Sequence, residues 1–163
     1  MIRVSTYTWK PFKVGDLFDI HPTKHYNMTN ANLFSEDGNI PVIVNSAFNN
    51  GVGGYVNLKP TEKGNIITFS DTTDSNSIFY QENDFIGYSH IQGLYPYSDK
   101  WNKKSLQFFA TIFKKAAQLK GFNYTNKFTR ELAKEIEVQL PVHNSLCIDF
   151  DKIQDIVVNG GGY

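Results

Sequence analysis

The hydrophobic period of this chain changes near residue 100, and that change limits the folds open to it. Upstream, apolar residues come in short runs: Ile40-Pro-Val-Ile-Val-Asn45, Ile66-Ile-Thr-Phe69, Ser77-Ile-Phe-Tyr80, Phe85-Ile-Gly-Tyr88 and Ile91 to Tyr97. Such runs are too short for stable helices, and glycine, asparagine and aspartate punctuate them, which predicts strands. Downstream, Leu106, Phe109, Ile112, Phe113, Ala116 and Leu119 recur at three and four. That spacing predicts one amphipathic helix over Ser105–Lys120. Strands followed by a helix place the chain in the α+β class, a β-rich body of short strands with a C-terminal amphipathic helix.

Local signals fill in the order. Thr8 to Ile20 reads as a turn into a strand, with Trp9 and Phe12 as anchors and Gly15-Asp16 as the turn. Residues 21–39 are polar and read as a loop with little core. Asn49-Asn50-Gly51 is a strong hairpin signal entering a strand through Val56. Asn102 or Ser105 can cap the helix, and Gly121 can end it. Thr129 can cap a short second helix through Lys134. Ile136-Glu-Val-Gln-Leu140 then alternates as a returning strand that Pro141 is expected to terminate. Asp149 to Val158 carries a weak helical pattern cut by Gly160-Gly161-Gly162. Without a repeat or linker, residues 1–163 read as a single domain.

Composition narrows the function classes. The chain has 163 residues with 40% apolar side chains, enough to bury a core and too many for disorder. The lone cysteine, Cys147, excludes a disulfide framework and sits in an apolar run, where a core position is expected. No signal peptide and no apolar span of membrane length is visible, which predicts a cytoplasmic protein. Formal net charge is zero, yet nine of sixteen basic residues lie between Lys100 and Lys134, against the single acid Glu131. Trp101, Phe108, Phe109, Phe122, Tyr124 and Phe128 interleave with those lysines. A basic, aromatic, asparagine-rich tract suits a polyanion, and a lysine-rich helix face that merely solvates is the bland alternative.

Catalytic patterns are missing. Gly51-Val-Gly53-Gly54 lacks the spacing and following helix of a dinucleotide loop. No Walker loop or nucleophile elbow occurs. His21, His25, His90 and His143 lack zinc spacing. No metal-nuclease carboxylate–lysine core and no adenine-methyltransferase tetrad is found. Asp71 and Asp74 suggest a metal loop, but Asx turns explain that composition as well. No metal, no cofactor and no catalytic residue is expected.

A set of ordered motifs then stands out: Trp9-Lys-Pro-Phe-Lys-Val-Gly-Asp-Leu-Phe-Asp-Ile20, Val44-Asn-Ser-Ala-Phe-Asn-Asn-Gly-Val-Gly-Gly-Tyr-Val56, Gly64-Asn-Ile-Ile-Thr-Phe69 and Phe79-Tyr-Gln-Glu-Asn-Asp-Phe85. Gly121-Phe-Asn-Tyr-Thr-Asn-Lys127 and Ile136-Glu-Val-Gln-Leu-Pro-Val142 complete it. Together they cover nearly the whole chain. They resemble the target recognition domain of type I restriction–modification specificity (S) subunits and the related type IIB and IIG recognition domains. The resemblance implies a noncatalytic reader of double-stranded DNA. It would serve a methyltransferase (modification) subunit and a nuclease–translocase (restriction) subunit. A usual S subunit has two such domains separated by long helices, whereas this chain shows one and no long heptad helix. Three expectations stay open: a half-subunit working as a homodimer or beside a second recognition domain, a truncated chain, or a protein that works differently from the family.

If DNA is the partner, Lys100, Lys103, Lys104, Lys127 and Arg130 are the candidates for phosphate contact. Asn123, Tyr124 and Asn126 can present amides and a ring to base edges. Lys24, His25, Tyr26 and Asn27 can form the second half of a clamp. Each has a structural alternative, solvation for the lysines and turn chemistry for the asparagines. Two other functions stay open: an assembly module of the same system without DNA reading, and a carbohydrate-binding β domain using Tyr55, Tyr88, Tyr95 and Tyr97.

Overall fold

The computed structural model describes residues 8–72, 74–144 and 147–160. The chain opens with β1 (Thr8–Lys13), the single-turn helix α1 (Val14–Leu17), β2 (Phe18–Pro22) and α2 (Asn30–Leu33). A hairpin of β3 (Asp37–Ile43) and β4 (Val52–Val56) precedes β5 (Ile66–Ser70), β6 (Phe79–Gln81) and β7 (Ile91–Pro96). Then come α3 (Lys103–Gln118), α4 (Arg130–Glu135), β8 (Glu137–His143), β9 (Cys147–Ile148) and α5 (Phe150–Asp155). Pairing within each sheet is antiparallel: β2-β7-β5-β6, β1-β8-β9, and the β3–β4 hairpin. The α+β class read from the period change is the class observed.

Helix α3 packs on both larger sheets. Its buried Leu106, Phe109, Phe113 and Ala117 share one core with Phe18, Ile67, Phe69 and Leu94 on one side and Val138 and Leu140 on the other. Asn102 starts the helix with a capping box, accepting from the Ser105 N–H while Ser105 Oγ accepts from the Asn102 N–H. Gly121, at φ 68, takes the left-handed exit that a side chain would resist. Thr129 caps α4 and Asp149 caps α5.

The opposite face of the four-stranded sheet is also covered. Strand β5 is buried along its whole length, with Ile67 and Phe69 facing α3 and Ile66 facing Ile43, Phe85 and Ile91. Strand β3 is sandwiched in turn: Ile43 joins that cluster, and Val42 packs with Leu33, Val56 and Ile86. Burial on both faces explains why Ile-Pro-Val-Ile-Val reads as a continuous apolar run without alternation.

Several local expectations differ. Residues 21–39 hold the Thr29-capped α2, whose Leu33 is buried, and the start of β3. Phe85-Ile86 forms isolated bridges to Glu62 and Val42 in place of a strand. Asn49-Asn50-Gly51 does not make a two-residue turn, because the Val44 N–H to Gly51 carbonyl bond closes a wider loop. Strand β8 runs through Pro141 to His143. The Pro141 carbonyl accepts from Asp149 N–H just past the end of β9, so its nitrogen points to that side and no bond to β1 is lost. Cys147 is exposed, since alternation on the short edge strand β9 turns Ile148 to the core instead. Trp9 is 42% exposed on edge strand β1, and Phe12 packs against the core. Gly161 and Gly162 lie outside the described residues. No described helix is long and apolar enough to cross a membrane.

Phe109 contacts Phe18, Trp101 and Phe113 at ring-centroid distances of 4.7, 5.4 and 5.9 Å. Phe109→Ala should cost about 3–5 kcal/mol, read as a lower urea midpoint. Asn102→Ala should cost about 1 kcal/mol by removing the cap.

Candidate nucleic-acid interface

The residues nominated from the sequence fall in three places. Lys100, Lys103 and Lys104 flank the start of α3, and Asn123 to Arg130 form the loop after it. The 16 residues of α3 hold those groups roughly 24 Å apart at about 1.5 Å per residue. Lys24, His25 and Asn27 are exposed on the segment after β2, which is pinned to a distant loop. There the Lys24 N–H donates to Glu62, Thr61 Oγ1 donates to the Lys24 carbonyl, and Tyr26 Oη donates to the Lys59 carbonyl.

The charges are not equally available. Lys103 Nζ meets Glu82 at 2.7 Å, and that hydrogen bond raises its pKa. Arg130 lies 3.5 Å from Glu131, which also sits 3.6 Å from Lys134. Lys24, Lys100, Lys104 and Lys127 make no ion pair with a described residue, so their charge stays open to a phosphate. Lys127 instead lies over the Tyr124 ring, 5.2 Å from its centroid, and Tyr124 is 77% exposed. Lys100 lines a hollow with His143, Asp149 and Asp151, an acidic setting that weakens it as a phosphate ligand.

Asparagine chemistry divides the same way. Asn123 Oδ1 accepts from the Thr125 and Asn126 N–H groups, an Asx turn that shapes its own loop. Asn126 lines a hollow with Lys120, Phe122, Leu132 and Ile136.

A cleft of about 740 Å³ between β6 and the β3–β4 hairpin was not legible in the sequence. Asn39, Asn49, Asn50, Tyr55, Tyr80, Asn83 and Gln107 contribute to its wall from separate elements. Asn50 holds the two sides together: its Nδ2 donates to the Tyr80 carbonyl at 3.0 Å and to Gln81 Oε1 at 3.2 Å, and Gln81 Nε2 returns a bond to the Asn50 carbonyl. Asn49 and Asn50 were readable as turn residues, and turn chemistry is what they do, at φ 51 and 56. Nothing marks Asn39, Asn83 and Gln107 as neighbours, because their elements meet only in the folded chain.

The loop carboxylates serve closure. Asp71 bonds His90 at 3.0 Å and Gln92 at 2.8 Å, and Asp74 accepts from the Asn76 backbone and side chain. No trio of His, Cys, Asp or Glu among the described residues is placed to hold a metal ion. The tyrosines do not share an open ring face. Tyr55 and Tyr97 are exposed, whereas Tyr88 donates to Asn30 and Tyr95 stacks on His21 while donating to Glu62.

The described residues thus form an α+β body that carries open lysines and amides on its loops. The chain belongs to the type I restriction modification DNA specificity domain family, whose model matches residues 7–155. The fold is similar to that of the type I restriction–modification S subunit from M. genitalium, with a TM-score of 0.68 and 19% identity over 92% of this chain and 38% of that one. It is also similar to the HsdS subunit from Thermoanaerobacter tengcongensis, with a TM-score of 0.59 and 11% identity over 92% of this chain and 36% of that one. A third similar chain comes from a structure described as the basis of complex assembly and conformational transition of the type I R-M system, with a TM-score of 0.57, 12% identity and the same coverage. The chain thus spans less than two-fifths of the length of each of these three chains. No curated protein matches it in sequence.

Asn50→Ala should destabilise the protein by about 1–2 kcal/mol, through lost amide bonds and a left-handed backbone. Asn50→Gly should cost less, because it keeps that backbone geometry. Burial, followed by the hydrogen bond to Glu62, raises the Tyr95 pKa far above the ordinary phenol value. The stabilisation from this phenol is complete below about pH 10 and is lost as pH rises towards the shifted value. Phenolate absorbance should show Tyr95 ionising last, and Tyr95→Phe should remove that final step.

Proposed function

We propose that this chain reads a specific double-stranded DNA sequence and thereby selects where methyltransferase and nuclease–translocase subunits act, without catalysing a step itself. The family match over residues 7–155 carries this reading. The distribution of charge supports it. Lys104, Lys127 and Lys24 stand unpaired on three exposed segments, suited to phosphates that fix register, while Tyr124, Asn126 and the tip of the β3–β4 hairpin offer rings and amides to bases. Lys103 and Arg130 complete the phosphate set once DNA competes for the carboxylates beside them. Asn123 acts by shaping the loop that presents Tyr124, and His25 and Asn27 flank Lys24 on the opposite segment. A second recognition domain, or a second copy of this chain, supplies the other half of a bipartite target.

One observation favours a different role for part of this surface. Leu119 is 89% exposed and Leu132 41% exposed at the corner between α3 and α4, beside a 260 Å³ hollow lined by Phe122 and Ile136. An apolar corner of that kind suits protein contact, so assembly without DNA reading is the competing function.

Binding to a duplex pool, measured by anisotropy with a methyltransferase subunit present, separates the two. DNA reading predicts log affinity falling linearly with log salt, by roughly 0.9 per phosphate contacted. Lys104→Glu with Lys127→Glu should weaken binding and reduce that slope by about two. Unchanged affinity in this variant would favour the assembly role.

A further inference from the structure

The loop between β3 and β4 holds a phenylalanine in water. Phe48 is 80% exposed, although 13 phenylalanines are available to the core and most of those described are packed there. The backbone around it is tightly determined. Ser46 Oγ accepts from the Phe48 N–H at 3.1 Å and donates to the Phe48 carbonyl, which also accepts from Gly51 N–H at 2.9 Å. Three consecutive residues, Asn49, Asn50 and Gly51, take positive φ. Both ends of the loop are tied to the sheet: Asn45 bonds the Ser89 carbonyl and Ser70 Oγ, and Asn50 bonds Tyr80 and Gln81. A left-handed run costs backbone energy unless the surroundings impose it. Here the effect of that geometry is to hold one apolar ring away from the body.

The chemistry around the ring points to its occupant. Ser46, Ala47 and Asn49 beside it are polar or small, and no other large exposed apolar side chain lies on the loop. Protein hot spots cluster in well-packed pockets, and the loop offers no second large apolar side chain to build one. A phenylalanine flanked by asparagine is the combination that minor-groove proteins use, the amide reading the groove floor and the ring entering between base steps. Positive charge is at hand: Lys114 Nζ lies 5.5 Å from the centroid of Phe79, the ring that packs beside Gly51 at the base of the loop.

We propose that Phe48 is a wedge: its ring inserts between two stacked base pairs from the minor groove, with Asn49 contacting the groove floor and Lys114 the adjacent phosphate. This rests on the DNA-reading function proposed above and adds a mechanism to it. A rigid wedge contributes specificity without hydrogen bonds, because base steps differ in how readily they unstack.

The test uses the full chain with its methyltransferase subunit and a duplex selected by binding, in which 2-aminopurine replaces one base at a time. Insertion predicts a several-fold fluorescence rise at one step on binding wild-type protein and no rise with Phe48→Ala. That variant should bind about tenfold more weakly with an unchanged salt slope. Its thermal midpoint should stay close to wild type, since the residue is 80% exposed. Tight binding with no rise at any step, or an equal rise with Phe48→Ala, would overturn the wedge and leave DNA reading intact. Loss of methyltransferase capture in Phe48→Ala, with the duplex signal unchanged, would also overturn it and assign the ring to a protein contact. Failure of wild-type protein to bind any duplex would remove the parent function and the wedge with it.

Discussion

A column of aromatic rings along α3 holds the two larger sheets to one helix, and the positions of the surface loops depend on it. Phe150 meets Trp101 at 4.9 Å, Trp101 meets Phe109, Phe109 meets Phe113, and Phe113 meets Phe128, which reaches Phe122 at 4.9 Å. Phe18 and Phe69 join from the four-stranded sheet at 4.7 Å each. The column runs from the segment before α3 to the loop beyond it. Tilted and edge-on ring contacts add directional preference to the large area each ring buries. Both basic segments therefore hang from a rigid core, Lys100–Lys104 at one end and Asn123–Arg130 at the other.

The opposite face of the four-stranded sheet is built differently. There the apolar clusters are small, centred on Val42 and on Ile43, and polar side chains do much of the fastening. Asn50 and Gln81 lock the hairpin to β6, Asn45 and Ser70 lock it to β5, and Thr61 and Glu62 hold the segment after β2. A covering layer secured by hydrogen bonds can change its outer residues without disturbing the aromatic core. That separation suits a domain whose fold is similar to that of S subunits at only 11–19% identity.

The strands and helix of the body were legible because their signals are local. The three-and-four spacing of α3, the caps at Asn102 and Thr129, and the strands at Ile66, Phe79 and Ile91 all follow from residues close in sequence. Three of the misreadings share one cause. Cys147, Pro141 and the Phe85-Ile86 run each depend on which strand lies alongside, and a neighbour distant in sequence leaves no local mark. The candidate interface divides in the same way. A cluster of lysines is visible as composition, but Glu82 beside Lys103 and the acids beside Lys100 come from elsewhere in the chain.

The amino-acid sequence by itself determined the α+β class, the helix and its caps, the segregation of positive charge and the ordered motifs that resemble specificity domains. Those properties are set by periodicity, capping chemistry and composition over short stretches. Tertiary structure alone decided which lysines keep an open charge, which asparagines face a common cleft, and that Phe48 stands clear of the core. Each of those outcomes is a contact, or the lack of one, between residues tens of positions apart, and only strand pairing and core packing bring such residues together.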